Sequence, residues 1–311
     1  MAPQDKNFVH LHVHTEYSML DGAARIEELV NEVAKQNSPA IAITDHGNLF
    51  GAFEFYKKAR QAGVKPIIGI EAYVAPESRF DKRRVKWAEG GEDDVSSGGA
   101  YTHMTLLAEN QSGLANLFKL SSLASLEGFY YKPRMDRELL SKFSKGIIGT
   151  SGCPGGEIQT KLRIGAYQEA KVAASELRDI FGKDNFFVEI MDHNIDIENR
   201  VKADLIKISK ELNIPLLATN DLHYTYKDDA TSHEVLLCVQ SGSTLADPKR
   251  FKFDGDQFYL KTASEMREIF KDIPESCDNT LLIAERCGIT LRENENLLPA
   301  FTVPEGETED S

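Results

Sequence analysis

From the N-terminus to about Ala218, short apolar runs of β-forming residues alternate with segments whose apolar residues recur at helical spacing. That alternation constrains the chain more than any other feature. A repeated strand–helix–strand crossover builds a βα-repeat fold with helices covering a sheet. Candidate strands fall at 8–14, 40–44, 66–74, 101–108, 146–150, 186–190 and 215–218. About seven strands predict a barrel. Segment 166–181 reads clearly as a helix, with Ala170, Ala173, Ala174, Leu177 and Ile180 on one face and Gly182 as its stop. Between Val74 and Tyr101 the helical period is missing. Pro76, a basic cluster from Lys82 to Lys86, and then Gly90, Gly91, Glu92, Asp93, Asp94 and Gly98 predict a mobile excursion loop.

After Ala218 the pattern changes to a helix near 229–239, a hairpin around Asp254-Gly255, and helices near 263–270 and 274–287. Residues 304–311 are acidic with no apolar partner and read as a linker. The expected division is therefore 1–290, a barrel with a helical and hairpin extension, and 291–311, an acidic linker.

At 311 residues the chain is near the upper limit for one hydrophobic core. Its 41% hydrophobic and 27% charged residues exclude a mostly disordered polymer. No apolar run approaches the ~20 residues of a membrane span, and Met1 to Asn7 is polar, so a cytoplasmic protein without membrane contact is expected. The four cysteines, Cys153, Cys238, Cys277 and Cys287, form no CxxC pair and are expected to be free thiols. The net charge of −13 has the wrong sign for holding duplex nucleic acid by neutralising many phosphates. A phosphate substrate would have to be met locally, as bound cations could do.

Seven of the eight histidines precede residue 225, most of them at or just beyond predicted strand ends. In a parallel barrel that rim is where catalytic groups converge. His10, His12 and His14 alternate along the first strand and are expected on one face; with Asp21 in the next turn they suggest a metal site. Thr44-Asp45-His46-Gly47, Glu71, Gly152-Cys153-Pro154 and Asn220-Asp221-Leu222-His223 each place a ligand type near another strand end. Singly, each has a plainer reading: Asp45 as a helix cap, Glu71 as a surface carboxylate, Cys153 as a buried apolar residue, Asp221 in an Asx turn. Recurrence at one rim weakens those readings. His103 begins its strand, the wrong end for a parallel barrel, but no helix separates it from Glu71. An antiparallel return after the excursion loop would bring the two together.

Other groups are weaker. Asp192 and His193 suit either a surface turn or a supporting role. Asp254 and Asp256 resemble a carboxylate pair but read better as a hairpin turn, and His233 reads as a satisfied helical histidine.

His12-Val13-His14 with Ser18 and Asp21, Thr44-Asp45-His46-Gly47, Glu71, His103, the Cys153 turn and Asp221-Leu222-His223 together resemble the PHP (polymerase and histidinol phosphatase) domain family. Within it the closest resemblance is to the branch that forms the N-terminal domain of bacterial replicative DNA polymerase III alpha subunits of the actinobacterial type. Asp21-Gly22-Ala23, Lys65-Pro66-Ile67-Ile68-Gly69, Leu217-Ala218-Thr219-Asn220 and Phe251-Lys252-Phe253-Asp254-Gly255 carry that finer likeness. The resemblance implies a distorted (βα)7 TIM-like barrel of the α/β class. It also implies that three metal ions are held by His12, His14, Asp21, His46, Glu71, His103, Cys153, Asp221 and His223, with His10 outside the set. An intact set implies an active site. Five neutral imidazoles, three carboxylates and one thiolate would leave three divalent ions with a net charge of about +2 to face a phosphodiester. The donor mix favours zinc, with manganese or iron as alternatives and magnesium disfavoured.

The function implied is a metal-dependent 3'-to-5' proofreading exonuclease in DNA replication, acting on a single-stranded or mismatched primer 3' end. The 291–311 linker would lead to polymerase domains and other replisome partners, and no polymerase activity is expected from this chain alone. The alternatives are a free-standing small-molecule phosphomonoesterase of the histidinol-phosphatase type, or a non-catalytic module that uses its metals for stability. Lys132, Arg134 and the Lys82–Lys86 cluster could guide a frayed strand, though an ordinary solvated surface is the slightly better reading.

Overall fold

In the computed structural model, which describes residues 7–87, 95–293, 303–304 and 306–308, the predicted alternation forms seven strands and ten helices. The strands are β1 (Ala40–Ile43), β2 (Lys65–Val74), β3 (Thr102–Ala108), β4 (Arg134–Met135), β5 (Ile147–Thr150), β6 (Phe186–Ile190) and β7 (Leu216–Ala218). Between and after them run α1 (Ile26–Lys35), α2 (Ala52–Gln61), α3 (Gln111–Leu126), α4 (Arg137–Phe143), α5 (Glu157–Arg163), α6 (Tyr167–Phe181), α7 (Asp196–Leu212), α8 (Ala230–Ser241), α9 (Ala263–Ile269) and α10 (Glu275–Arg286). Local chemistry sets several ends. Asn110 and Asp136 cap α3 and α4 by accepting from Gly113 and Leu139, and Thr262 with Glu265 forms a capping box on α9.

The sheet order is β1-β2-β3-β5-β6-β7, with the two-residue β4 beside β2. β1 and β2 are parallel, as are β5, β6 and β7, but β3 runs antiparallel to both of its neighbours. The expected antiparallel return is therefore real: the chain leaves β2, makes its excursion and comes back alongside. Residues 8–15 close the ring. Leu222 N donates to His12 O at 3.1 Å and His14 N to Leu222 O at 2.7 Å on one side, while Ala42 N donates to His10 O at 2.9 Å and Thr44 N to Val13 O at 2.9 Å on the other.

This closing segment corrects the sequence reading. It is not a regular strand; the backbone bends at His12 and pairs by isolated bridges. Regular alternation fails there, so Val9 and Leu11 enter the barrel interior while His10 turns outward. A second correction concerns Asp254-Gly255. No hairpin forms; 251–258 is a loop, and Tyr259 instead bridges Tyr224 in parallel. β4 had no sequence signal, being two residues long. Residues 88–94, 294–302, 305 and 309–311 lie outside the described residues, and with them most of the expected linker and part of the excursion loop.

One apolar layer packs the helices against the outer face of the sheet, through residues such as Ile41, Ile68, Ile70, Leu106, Val188 and Leu216. A second fills the interior at one end: Val9, Leu11, Ala40, Ala42, Ile67, Leu107, Ile148, Phe187 and Leu217 meet Ile283 and Ala284 of α10 and Cys287 just after it, and α10 plugs the barrel. All four cysteines are buried and free.

Candidate metal centre

Above the apolar plug the inward positions become polar. Thr44, Glu71, Thr105, Thr150, Glu189 and Thr219 are all buried, and His12 and His14 lie with them. At the open end the nine residues singled out in the sequence come together. Glu71 is the hub. Its Oε1 is 3.0 Å from His103 Nδ1, 3.2 Å from Cys153 Sγ and 3.4 Å from His12 Nε2, and its Oε2 is 3.7 Å from His14 Nε2 and against His46 Nδ1. Asp221 Oδ1 lies 3.3 Å from His12 Nε2 and 3.1 Å from His14 Nε2. Asp21 faces His46 Nε2 at 3.1 Å and His223 Nε2 at 3.9 Å. The rings of His14 and His46 stack at 4.0 Å.

Three groups within this cluster have donor atoms close enough to share one ion each: His14, His46 and His223; His12, His14 and Glu71; His46, Glu71 and His103. Adjacent ligands on a tetrahedral ion at 2.0–2.1 Å would lie about 3.4 Å apart, which matches the spacings around Asp221, Asp21 and Glu71. The second test is hydrogen bonding. His12 Nε2, His14 Nε2, Asp21 Oδ1, His46 Nδ1, Glu71 Oε2 and Asp221 Oδ1 are buried and make no hydrogen bond. Buried polar atoms are ordinarily hydrogen-bonded; five of these six instead meet as imidazole–carboxylate contacts among themselves and Asp21 Oδ1 faces His223, an arrangement that bound cations would suit. The donor set fits divalent metal.

Electrostatics point the same way. Burial would raise the carboxyl of Glu71, but His103 and His46 hold it well below the usual range; Asp21 is likewise lowered by His46 and Asp221 by His12 against the same burial. Burial would lower His12, yet Asp221 and Glu189 raise it well above its ordinary value. His14 falls to about 3 through burial and its neighbours His46 and His223, whereas His46 rises to about 10 because Glu71 and Asp21 outweigh burial. The Cys153 thiol is pushed well up by burial and then by Glu71 and Asp221; a nearby cation would reverse that.

The strongest supporting residue carried no flag in the sequence reading. Glu189, the fourth of the five residues of β6, accepts from His12 Nδ1 at 2.7 Å, from Thr219 Oγ1 at 2.6 Å, and from Thr105 and Thr150. It fixes the His12 tautomer so that Nε2 presents a lone pair to the cluster. The available signal was a lone carboxylate inside the apolar run Phe186-Phe187-Val188-Glu189-Ile190. His223 is oriented similarly, its Nδ1 donating to Asp221 O at 2.7 Å.

Several plainer readings are corrected. Glu71 is buried, not a surface carboxylate. Asp45 caps no helix; it accepts from Thr15 N and Oγ1 and from Ser18 Oγ, bracing the loop that presents His46. Asp221 sits at φ 45°, a strained left-handed conformation that aims its carboxylate into the rim. His10 Nε2 donates to Lys261 O at 2.8 Å, away from the cluster. His193 is buried between Glu198 and Asn220 O, where it supports the turn before Asp221, while Asp192 pairs with Lys202. His233 is satisfied, as expected, but by the backbone of Asp21 at 2.7 Å.

A closed barrel with an imidazole- and carboxylate-lined rim defines the class: an α/β barrel carrying a candidate metal centre. The chain belongs to the PHP domain family, whose model matches residues 10–193. That span holds seven of the nine residues; Asp221 and His223 lie beyond it. DNA polymerase III subunit alpha of Mycobacterium leprae is 56% identical over 98% of this chain and 26% of its own length. The same subunit of Saccharopolyspora erythraea is 59% identical over 90% and 24%. The chain thus spans about a quarter of the length of these curated relatives. A Bifidobacterium adolescentis structure assigned as a metal-dependent phosphoesterase covers 85% of this chain and 96% of its own at 13% identity, with a TM-score of 0.40. No helix among the described residues is long and apolar enough to cross a membrane.

Proposed function

We propose that the rim holds three divalent ions, zinc being favoured and manganese or iron the alternatives, and hydrolyses DNA phosphodiesters from a free 3' end. The nine ligands would be His12, His14, Asp21, His46, Glu71, His103, Cys153, Asp221 and His223. The observation that carries this reading is the convergence on one rim of six buried ligand atoms that make no hydrogen bond and each face another ligand of the set. When bound, the ions would supply an activated water and neutralise the phosphate and the leaving oxygen. The chain's own part is positioning: Glu189 and the threonines around it hold His12, Ser18 Oγ lies 3.0 Å from His14 Nδ1, and the Asn220-Asp221 turn is held by His193 and Lys261.

A rim site admits a terminal nucleotide only after it has left the duplex, and fraying is cheapest where pairing is already broken. A single-stranded or mismatched 3' end is therefore the preferred substrate; the relatives' name, that of a DNA polymerase subunit, supports a context in DNA replication, and proofreading is the role we infer there. The wider protein would supply the polymerase domains and replisome partners that present the primer, in the cytoplasm. The 1–290 and 291–311 division belongs to this proposal. A small monoester is the less suited substrate, because the relatives are polymerase subunits.

Digestion of end-labelled primers with matched, mismatched and blocked 3' ends tests the reading. Chelator-sensitive release of mononucleotides, fastest from the mismatch, is expected. Internal cleavage, or equal loss from a blocked end, overturns it. Chelation should also lower Tm, since an ion present at a thousand times its Kd stabilises the native state by about 4 kcal/mol.

A further inference from the structure

Beside the metal rim, the turn between α3 and β4 holds a residue whose conformation packing does not explain. Tyr131 sits at φ 60° with its side chain 60% exposed. The left-handed region costs a bulky residue about 1–3 kcal/mol, and burial does not offset it here. The turn is also rigid. Arg134, fully buried, donates to Gly128 O at 3.0 Å, Ala100 O at 3.0 Å, Arg79 O at 3.2 Å and Asp81 O at 2.8 Å. A Cβ at Gly128 would stand 1.9 Å from Arg134 O, so only glycine lets the two ends of the turn meet. Tyr130 and Lys132 bridge across the tip, and the Tyr130 ring stands edge-on to Tyr131 at 4.5 Å. Arg134 is therefore scaffolding, which corrects its expected role as a strand guide.

The turn adjoins the metal rim. A Cβ on Gly47, next to His46, would meet the Tyr73 ring at 2.7 Å and Pro133 Cγ at 3.0 Å. Lys132 Nζ lies 5.5 Å from the Tyr73 ring, which stacks on His46 at 6.0 Å and stands edge-on to His103 at 5.2 Å. The exposed Arg84 guanidinium is 5.4 Å from the Tyr131 ring. Neither Lys132 nor Arg84 has an ion pair among the described residues. A rigid, exposed aromatic ring with one cation near it and a second on the adjoining residue matches the chemistry that single strands use, with bases on π-faces and phosphates on cations.

We propose that Tyr131 is a stacking platform for a nucleobase of a single strand whose 3' end lies in the rim, with Lys132 and Arg84 holding the adjoining phosphates. This rests on the phosphodiesterase reading above and adds to it which part of the strand is recognised.

The test uses the full chain and two labelled oligonucleotides: oligothymidylate, and the same strand with abasic residues at its last three positions. The wild type should bind and degrade the base-bearing strand about ten-fold better or more, the scale of one stacked base. Tyr131→Leu should lose most of that preference and Tyr131→Phe should keep it. Tyr131→Gly should lose it too while melting no earlier than the wild type, because glycine relieves the left-handed strain. Lys132→Ala with Arg84→Ala should flatten the salt dependence of binding by about 0.7 for each phosphate no longer neutralised. A wild type indifferent to the bases, a preference unchanged in Tyr131→Leu, or early melting of Tyr131→Gly overturns the platform. Absence of cleavage would count against the hydrolytic reading alone, because the platform is scored independently by fluorescence anisotropy with both strands.

Discussion

Along β2 the inward positions run Ile67, Gly69, Glu71; along β5, Ile148 then Thr150; along β6, Phe187 then Glu189; along β7, Leu217 and then Thr219 beyond its end. The same strands thus line an apolar end, plugged by α10, and a polar end that meets the nine-residue rim. At the plug every group is satisfied by contact, and the stabilisation comes from removing apolar surface from water. At the rim, charge is buried and ligand atoms are left unpaired, an arrangement that costs stability unless something cationic fills it. Stability and chemistry are therefore separated along the strand axis by two to four residues, with Glu189 and its threonines as the boundary.

The largest expected effect breaks the rim alone. Asp221→Asn removes an anionic ligand at almost constant volume, and nuclease activity should fall about a thousand-fold or more, the several kcal/mol that metal charge stabilisation supplies. Circular dichroism should show a folded chain; unfolding would mean the rim is structural as well. Phe187→Ala strikes the other end. Unfolding stability should drop by about 3–5 kcal/mol, by the same amount with and without metal, while activity per folded molecule is retained. A metal-dependent loss would show that the two ends are coupled.

Glu189→Gln probes the boundary, because the amide can leave His12 in the wrong tautomer. Metal affinity or activity should fall about 10- to 100-fold, read by metal titration and by rate at saturating metal. No change in either would remove Glu189 from the positioning network. His10→Asn should have the smallest effect. His10 bonds to Lys261 O outside the ring, and its ring is held near pKa 4 by burial, so activity should change by less than that of Asp221→Asn by a wide margin. Equal losses from the two would put His10 in the ligand set.

The His10 result also shows how far sequence reaches. Period-2 spacing put His10, His12 and His14 on one face, and the family resemblance, not the periodicity, separated His10 from the other two. The spacing failed because the segment bends at His12 to close the ring between β1 and Leu222, and no local propensity encodes a closure made by partners about 30 and about 210 residues away in the chain. The hairpin expected at Asp254-Gly255 failed for a related reason: Tyr259 pairs with Tyr224 instead of with its own neighbours. His103 went the other way, since the missing crossover helix between β2 and β3 was itself a local signal of an antiparallel return.

The sequence by itself determined the alternating elements, the ends of the four helices it delimited to within two residues, and the inventory of metal-capable side chains, because periodicity, caps and residue type act over a few neighbours. Only the tertiary structure decided that Glu71 is the hub, that Glu189 holds His12, that Arg134 is scaffolding while Tyr131 is displayed, and that nine side chains drawn from residues 12 to 223 share one rim. Those facts depend on which strands the barrel sets side by side, and burial is a property of the closed ring that no segment has alone.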